Sequence, residues 1–132
     1  MNRAAIDKAK KSLSQERYNI CFLKGTELPF SGRYTYVKDK GEYLCVVCKT
    51  RLFSSSTKYD SGTGWPSFWD VIKSANVKLE PDYSLGEERT EVLCKTCGAH
   101  LGHVFDDGPG DHGGKRYCIN SLALDFVPKK EP

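Results

Sequence analysis

Two stretches, "EYLCVVC" at residues 42–48 and "TEVLCKTC" at residues 90–97, share one construction. Each is a run of strand-forming residues that ends in Cys-x-x-Cys. A two-residue gap lets both sulfurs of one turn reach the same ion. Two such turns supply four thiolates, the closed tetrahedral set of a structural zinc site. Cys45, Cys48, Cys94 and Cys97 are therefore expected to hold one Zn2+ that supports the fold and does no chemistry. The two turns lie far apart in the chain, so the site must join distant segments. A redox-active pair of the thioredoxin kind is the competing reading, but no strand–helix–strand pattern surrounds either unit.

Other short runs, "RYTYV" and "SLALDFV", also read as strands, separated by Gly, Ser, Asp and Pro. The period is two, which predicts a mainly β domain. The N-terminus differs. Residues 4–11 read as a weak helix. A second helix is capped by Ser12 or Ser14, with Ser12 and Gln15 matching a capping box. Its apolar face is Leu13, Ile20 and Leu23, and Gly25 stops it. The expectation is one domain over 1–132, with a helical cap at about 4–25, a β core at about 30–128 and the polar tail "KKEP". The net charge of +3 leaves no electrostatic footprint for nucleic acid. No apolar run approaches a membrane span, and the first residues are too polar for a signal peptide. A cytoplasmic protein with reduced thiols is expected, with neither nucleic acid nor membrane as partner.

Two cysteines, Cys21 and Cys118, stand outside the paired motifs. In "GKRYCINSLALDF", residues 114–126, Arg116, Cys118 and Asn120 share one face of a strand, and Tyr117 and Ile119 the other. A cation beside a thiol favours the nucleophilic thiolate. "GAHLGHVFDDGP", residues 98–109, carries His100, His103 and Asp107. Residues three apart on a regular strand face opposite ways. A turn or bulge, which Gly98 and Gly102 allow, would bring both histidines to one site. "DSGTGWPSFW", residues 60–69, places Trp65, Phe68 and Trp69 on a loop shaped by Gly and Pro, either as a binding surface or as caps on the core.

These segments, in this order and with both Cys-x-x-Cys units, closely resemble the B-type methionine sulfoxide reductases. The resemblance runs from about Ser14 to Pro128 and includes "KGTELPFSGRY" at residues 24–34. It implies two antiparallel sheets packed in a tent-like β arrangement with short N-terminal helices. It implies reduction of methionine-R-sulfoxide in oxidised proteins, with thioredoxin as reductant, by a chain expected to act as a monomer. Cys118 matches the nucleophile. His103 matches the proton donor, with His100 beside it and Asp107 supporting the polar network. Trp65 matches the residue that packs on the substrate methyl group, with Phe68 in the same wall. Arg116 and Asn120 tune the nucleophile.

One departure concerns recycling. Many relatives carry a second cysteine just before "GWPSF", where this chain has Thr63. Cys21 then has two readings. It is a buried helix residue, or it replaces the missing thiol and forms a transient Cys21–Cys118 disulfide that thioredoxin reduces. Two rival functions remain in view: a zinc-ribbon-like binding module, and a cysteine hydrolase built on Cys118 and His103.

Overall fold

The computed structural model describes residues 2–84 and 86–129, so all of the "KKEP" tail except Lys129 lies outside the described residues. Two helices come first, α1 (Arg3–Ser12) and α2 (Gln15–Phe22). Nine strands follow among the described residues: β1 (Gly41–Cys45), β2 (Arg51–Ser54), β3 (Lys58–Tyr59), β4 (Ser67–Phe68), β5 (Val77–Asp82), β6 (Arg89–Cys94), β7 (His100–Phe105), β8 (Arg116–Ile119) and β9 (Leu124–Pro128). They form a three-stranded sheet ordered β2-β1-β9 and a six-stranded sheet ordered β3-β4-β8-β7-β6-β5. Every pairing is antiparallel.

Capping chemistry sets the helix ends. Asn2 accepts from the Ala5 N–H at 2.9 Å to start α1, and Ser14 accepts from the Arg17 N–H at 3.2 Å to start α2. Ser12 closes α1 instead, with its hydroxyl on the Ala9 carbonyl, so the expected Ser12–Gln15 box does not form. Lys24, not Gly25, takes the left-handed turn at the end of α2, with φ 56°. Leu23 lies beyond the helix and is exposed, leaving Ile20 and Cys21 as the buried face. "RYTYV" is not a strand. It coils through consecutive turns, with the Thr35 N–H on Gly32 and the Val37 N–H on Tyr34, because Tyr34 must dip into the core against Tyr43 and Phe126.

The core lies between the sheets. Phe53 of the small sheet stacks on Phe68 of the large one at 4.4 Å between ring centres, and Tyr43 meets Phe68 edge-on at 5.2 Å. Leu52 and Leu124 from one side and Val92, Leu101 and Ile119 from the other are completely buried. Each contributes about 1.5–3 kcal/mol by leaving water. Tyr117 and Ile119 point into this core, so Arg116 and Cys118 must point away from it.

The β6–β7 pairing contains the bulge that two histidines three residues apart require. Val92 pairs with Gly102 and Leu93 with His100, which leaves Leu101 as the extra residue. Leu101 turns into the core, and the His100 and His103 rings come to 5.4 Å on the other face.

Candidate active site and cysteine cluster

The two Cys-x-x-Cys turns are built alike. The Lys49 N–H donates to the Cys45 carbonyl at 2.9 Å, and the Gly98 N–H to the Cys94 carbonyl at 2.8 Å. Lys49 and Gly98 both take left-handed backbone, with φ 63° and 78°. Each turn thereby aims two sulfurs one way. All four sulfurs lie within 4.8 Å of one another, with Cys45–Cys97 at 3.6 Å and Cys48–Cys94 at 3.5 Å. Tetrahedral zinc thiolates have sulfurs about 3.8 Å apart. The four thiols therefore fit a metal ion and leave it no open position.

Cys118 lies elsewhere, on β8, at the floor of a cavity of about 220 Å3. Its register partners are His103 on β7 and Ser67 on β4. Trp65, Arg116, Asn120, Thr63 and Arg89 complete the walls. The Trp65 indole N–H donates to the Glu27 carbonyl at 3.0 Å, which fixes the ring against one wall. The Asn120 amide accepts from the Glu27 N–H at 3.1 Å and donates to the Leu101 carbonyl at 3.1 Å. Asn120 thus ties the loop that carries Glu27 to the sheet and sets where Trp65 stands.

Burial pushes the Cys118 thiol above its ordinary pKa. The neighbouring Arg116 guanidinium and Thr63 hydroxyl oppose this, while the Glu27 carboxyl adds to it. Arg116 is held rigidly, with Asp107 accepting from Nε at 2.8 Å and Nη2 at 3.1 Å, and its guanidinium lies 4.3 Å over the Phe105 ring. Asp107 therefore supports Arg116 on the rim, not the histidines. It lies just past the end of β7, where Phe105 pairs with Arg116.

The carboxylate that orients His103 is Asp82, at the end of β5. Its Oδ2 lies 2.7 Å from His103 Nε2, its Oδ1 accepts from the Ser84 N–H at 2.9 Å, and Arg89 approaches at 3.5 Å. The hydrogen bonds from His103 and Ser84 hold its carboxyl far below the usual range, so it stays ionised. His100 sits behind, with Nδ1 2.6 Å from Glu91 Oε2 and Lys24 closing on the other carboxylate oxygen at 3.3 Å. Burial lowers the His100 pKa against the pull of Glu91.

The SelR domain family matches residues 13–128. The chain belongs to the SelR family. It is 53% identical to the peptide methionine sulfoxide reductase MsrB of Methanosarcina barkeri, over 99% of this chain and 94% of that protein. It is 53% identical to the protein of the same name in Pseudomonas syringae pv. syringae, over 94% of each. It is 55% identical to mouse methionine-R-sulfoxide reductase B3, mitochondrial, over 90% of this chain and about half of that longer protein. The solved Mis18 "Yippee-like" domain shares the fold, with a TM-score of 0.56 over 70% of this chain and 99% of its own, at 17% identity.

Within this SelR chain His100 and Asp107 reach the cavity only through His103 and Arg116, and two further expected site residues stand apart from it. Phe68 is completely buried in the inter-sheet stack and backs β4 instead of lining the wall. Cys21 is 2% exposed on α2, its thiol pushed up to about 12 by burial, with Arg17 and Cys94 as the charges that act on it. It does not line the Cys118 cavity. Conversely, Asp82 and Glu91 escaped notice in the sequence. An Asp two residues before Ser84 reads as an ordinary turn cap. A Glu in an alternating strand reads as its solvent face, and only the histidines opposite reveal otherwise.

Alkylation by iodoacetamide reports the Cys118 thiolate. Its rate should rise with pH through a midpoint above that of an ordinary thiol, because burial outweighs Arg116 and Thr63. Arg116→Met should push the midpoint higher still. A wild-type midpoint below the ordinary thiol range would contradict this electrostatic account.

Proposed function

We propose that this chain is a peptide-methionine (R)-S-oxide reductase that uses Cys118 as nucleophile. The observation that carries it is the pairing of Cys118 with His103 inside a cavity walled by Trp65. Neither the four-cysteine cluster nor the fold requires that arrangement. The Cys118 thiolate attacks the sulfoxide sulfur while its oxygen takes a proton from His103. With Nε2 committed to Asp82, Nδ1 is the nitrogen left to give that proton. The oxygen then passes to the Cys118 sulfur: a Cys118 S–O bond forms as the substrate S–O bond and the transient S–S bond break, and the thioether leaves with Cys118 as a sulfenic acid. One sulfoxide and one thiol thus become one thioether and one sulfenic acid. Trp65 takes the methyl on its flat face and His103 takes the oxygen, which together select the R epimer. His100 and Glu91 act through His103 by packing. A cysteine hydrolase would need no reductant, and a zinc-ribbon binding module gives Cys118 no role.

The cluster is read as a structural Zn2+ site. Reduced Cys21 and Cys118 suit a reducing compartment such as the cytoplasm. Among the described residues no helix is long and apolar enough to cross a membrane. The chain is taken to act as a monomer.

Thioredoxin returns the sulfenic acid to thiol, releasing water and keeping the disulfide. A Cys21–Cys118 disulfide on the way would require the end of α2 to leave the core, because a disulfide needs Cα atoms within about 7 Å. A second reading, favoured by the burial of Cys21 and the open cavity above Cys118, is direct attack by thioredoxin on the sulfenic acid.

Four experiments follow. With separated epimers, wild-type protein should reduce the R form only, and Cys118→Ser neither. His103→Ala should slow the single-turnover step on the order of a hundredfold, and Asp82→Asn on the order of tenfold. A wild-type burst in His103→Ala would remove the proton-donor role. Cys21→Ala should keep its thioredoxin-driven rate. Loss of that rate with an intact burst would restore the Cys21–Cys118 route. Metal analysis should find one zinc per chain, and Cys48→Ser should release it and cost on the order of several kcal/mol of stability. A folded, metal-free wild-type protein would reject the site.

A further inference from the structure

Phe30 is held where an apolar side chain gains nothing from the fold. Its backbone is left-handed, with φ 67°, a costly conformation for a bulky residue. Its side chain is nevertheless 60% exposed. The Phe30 N–H donates to the Gly64 carbonyl at 2.7 Å. The ring sits so close that a Cβ on Gly64 would come within 2.9 Å of Cδ2. Thr63 and Trp65, on either side of Gly64, both line the Cys118 cavity. Tyr36, equally exposed, continues the surface with its ring stacked 6.4 Å from that of Phe30. An apolar strip therefore runs outward from the mouth of the cavity.

The strip leads into a groove of about 480 Å3 between the Thr35–Lys38 segment and β3, the edge strand of the large sheet. The Lys58 ammonium donates to the Thr35 carbonyl at 2.9 Å and bridges its two walls. Tyr59, in the groove, pairs with Ser67 of β4, which pairs with Cys118 of β8, so groove and cavity are neighbours. Sheet edges bounded by pockets receive extended chains.

We propose that this strip and groove hold the polypeptide on one side of the oxidised methionine, with an apolar substrate side chain against Phe30 and Tyr36. The inference rests on the sulfoxide-reductase reading and narrows its substrate class to methionine sulfoxide beside an apolar residue in an extended chain. A free amino acid reaches neither ring.

The test compares a short peptide carrying methionine-R-sulfoxide beside leucine with the N-acetyl, methylamide-capped residue alone. Wild-type protein favours the peptide. In Phe30→Ala and in Tyr36→Ala the ratio of kcat/KM, peptide over capped residue, falls about five- to tenfold, mainly through KM. An unchanged ratio in both variants overturns the proposal. So does an unchanged ratio with a raised KM for thioredoxin, which would assign the strip to the reductant. Calorimetric binding of both compounds to Cys118→Ser protein reads the groove without turnover. Equal affinities overturn it there as well. Absence of any reduction of either compound by wild-type protein counts against the reductase reading, and the binding comparison then still decides the groove.

Discussion

The site depends on the register between β7 and β8. Antiparallel pairing sets His103 directly opposite Cys118, and the same register sends Gly102 and Ile119 to the other side. A slip of one residue would exchange the faces, placing Tyr117 in the cavity and Cys118 in the core. The core prevents that slip. Tyr117, Ile119 and Leu101 fill space between the sheets that no polar side chain could occupy without losing hydrogen bonds. The bulge at Leu101 is part of the same constraint, because it lets a buried residue and two site-facing histidines share one short strand.

The six cysteines divide by environment, and the environments decide their chemistry. Four face one another across two matched turns, and their spacing suits a metal and nothing reactive. These turns close the β1–β2 and β6–β7 hairpins, so the cluster joins the two sheets that the aromatic stack also joins. Cys21 is surrounded by core and ionises with difficulty. Cys118 alone combines an open cavity with a fixed cation and a hydroxyl among the cavity walls. A thiolate is stabilised there only by groups that substrate can also approach.

Much of this was legible in the sequence. Period-two runs marked most strands, the doubled Cys-x-x-Cys marked the cluster, and alternation around Cys118 placed Arg116 and Asn120 on its face. What was not legible depended on tertiary context. "RYTYV" has strand composition, but Tyr34 is drawn into the core and the chain coils around it. Phe68 shares a loop with Trp65, and only the small sheet opposite explains why one ring goes inward and the other outward. Asp82 is far from His103 along the chain and looks like a turn residue until β5, β6 and β7 are laid side by side.

The central claim is that Cys118 takes the oxygen from a methionine-R-sulfoxide. The most direct measurement mixes fully reduced protein with an R-sulfoxide substrate in the absence of any reductant, then maps the modified residue by mass spectrometry after trapping with dimedone. The account predicts one methionine released per protein chain and the dimedone adduct on Cys118, with no reaction of the S epimer. Methionine released with Cys118 unmodified, or release from both epimers alike, would contradict it.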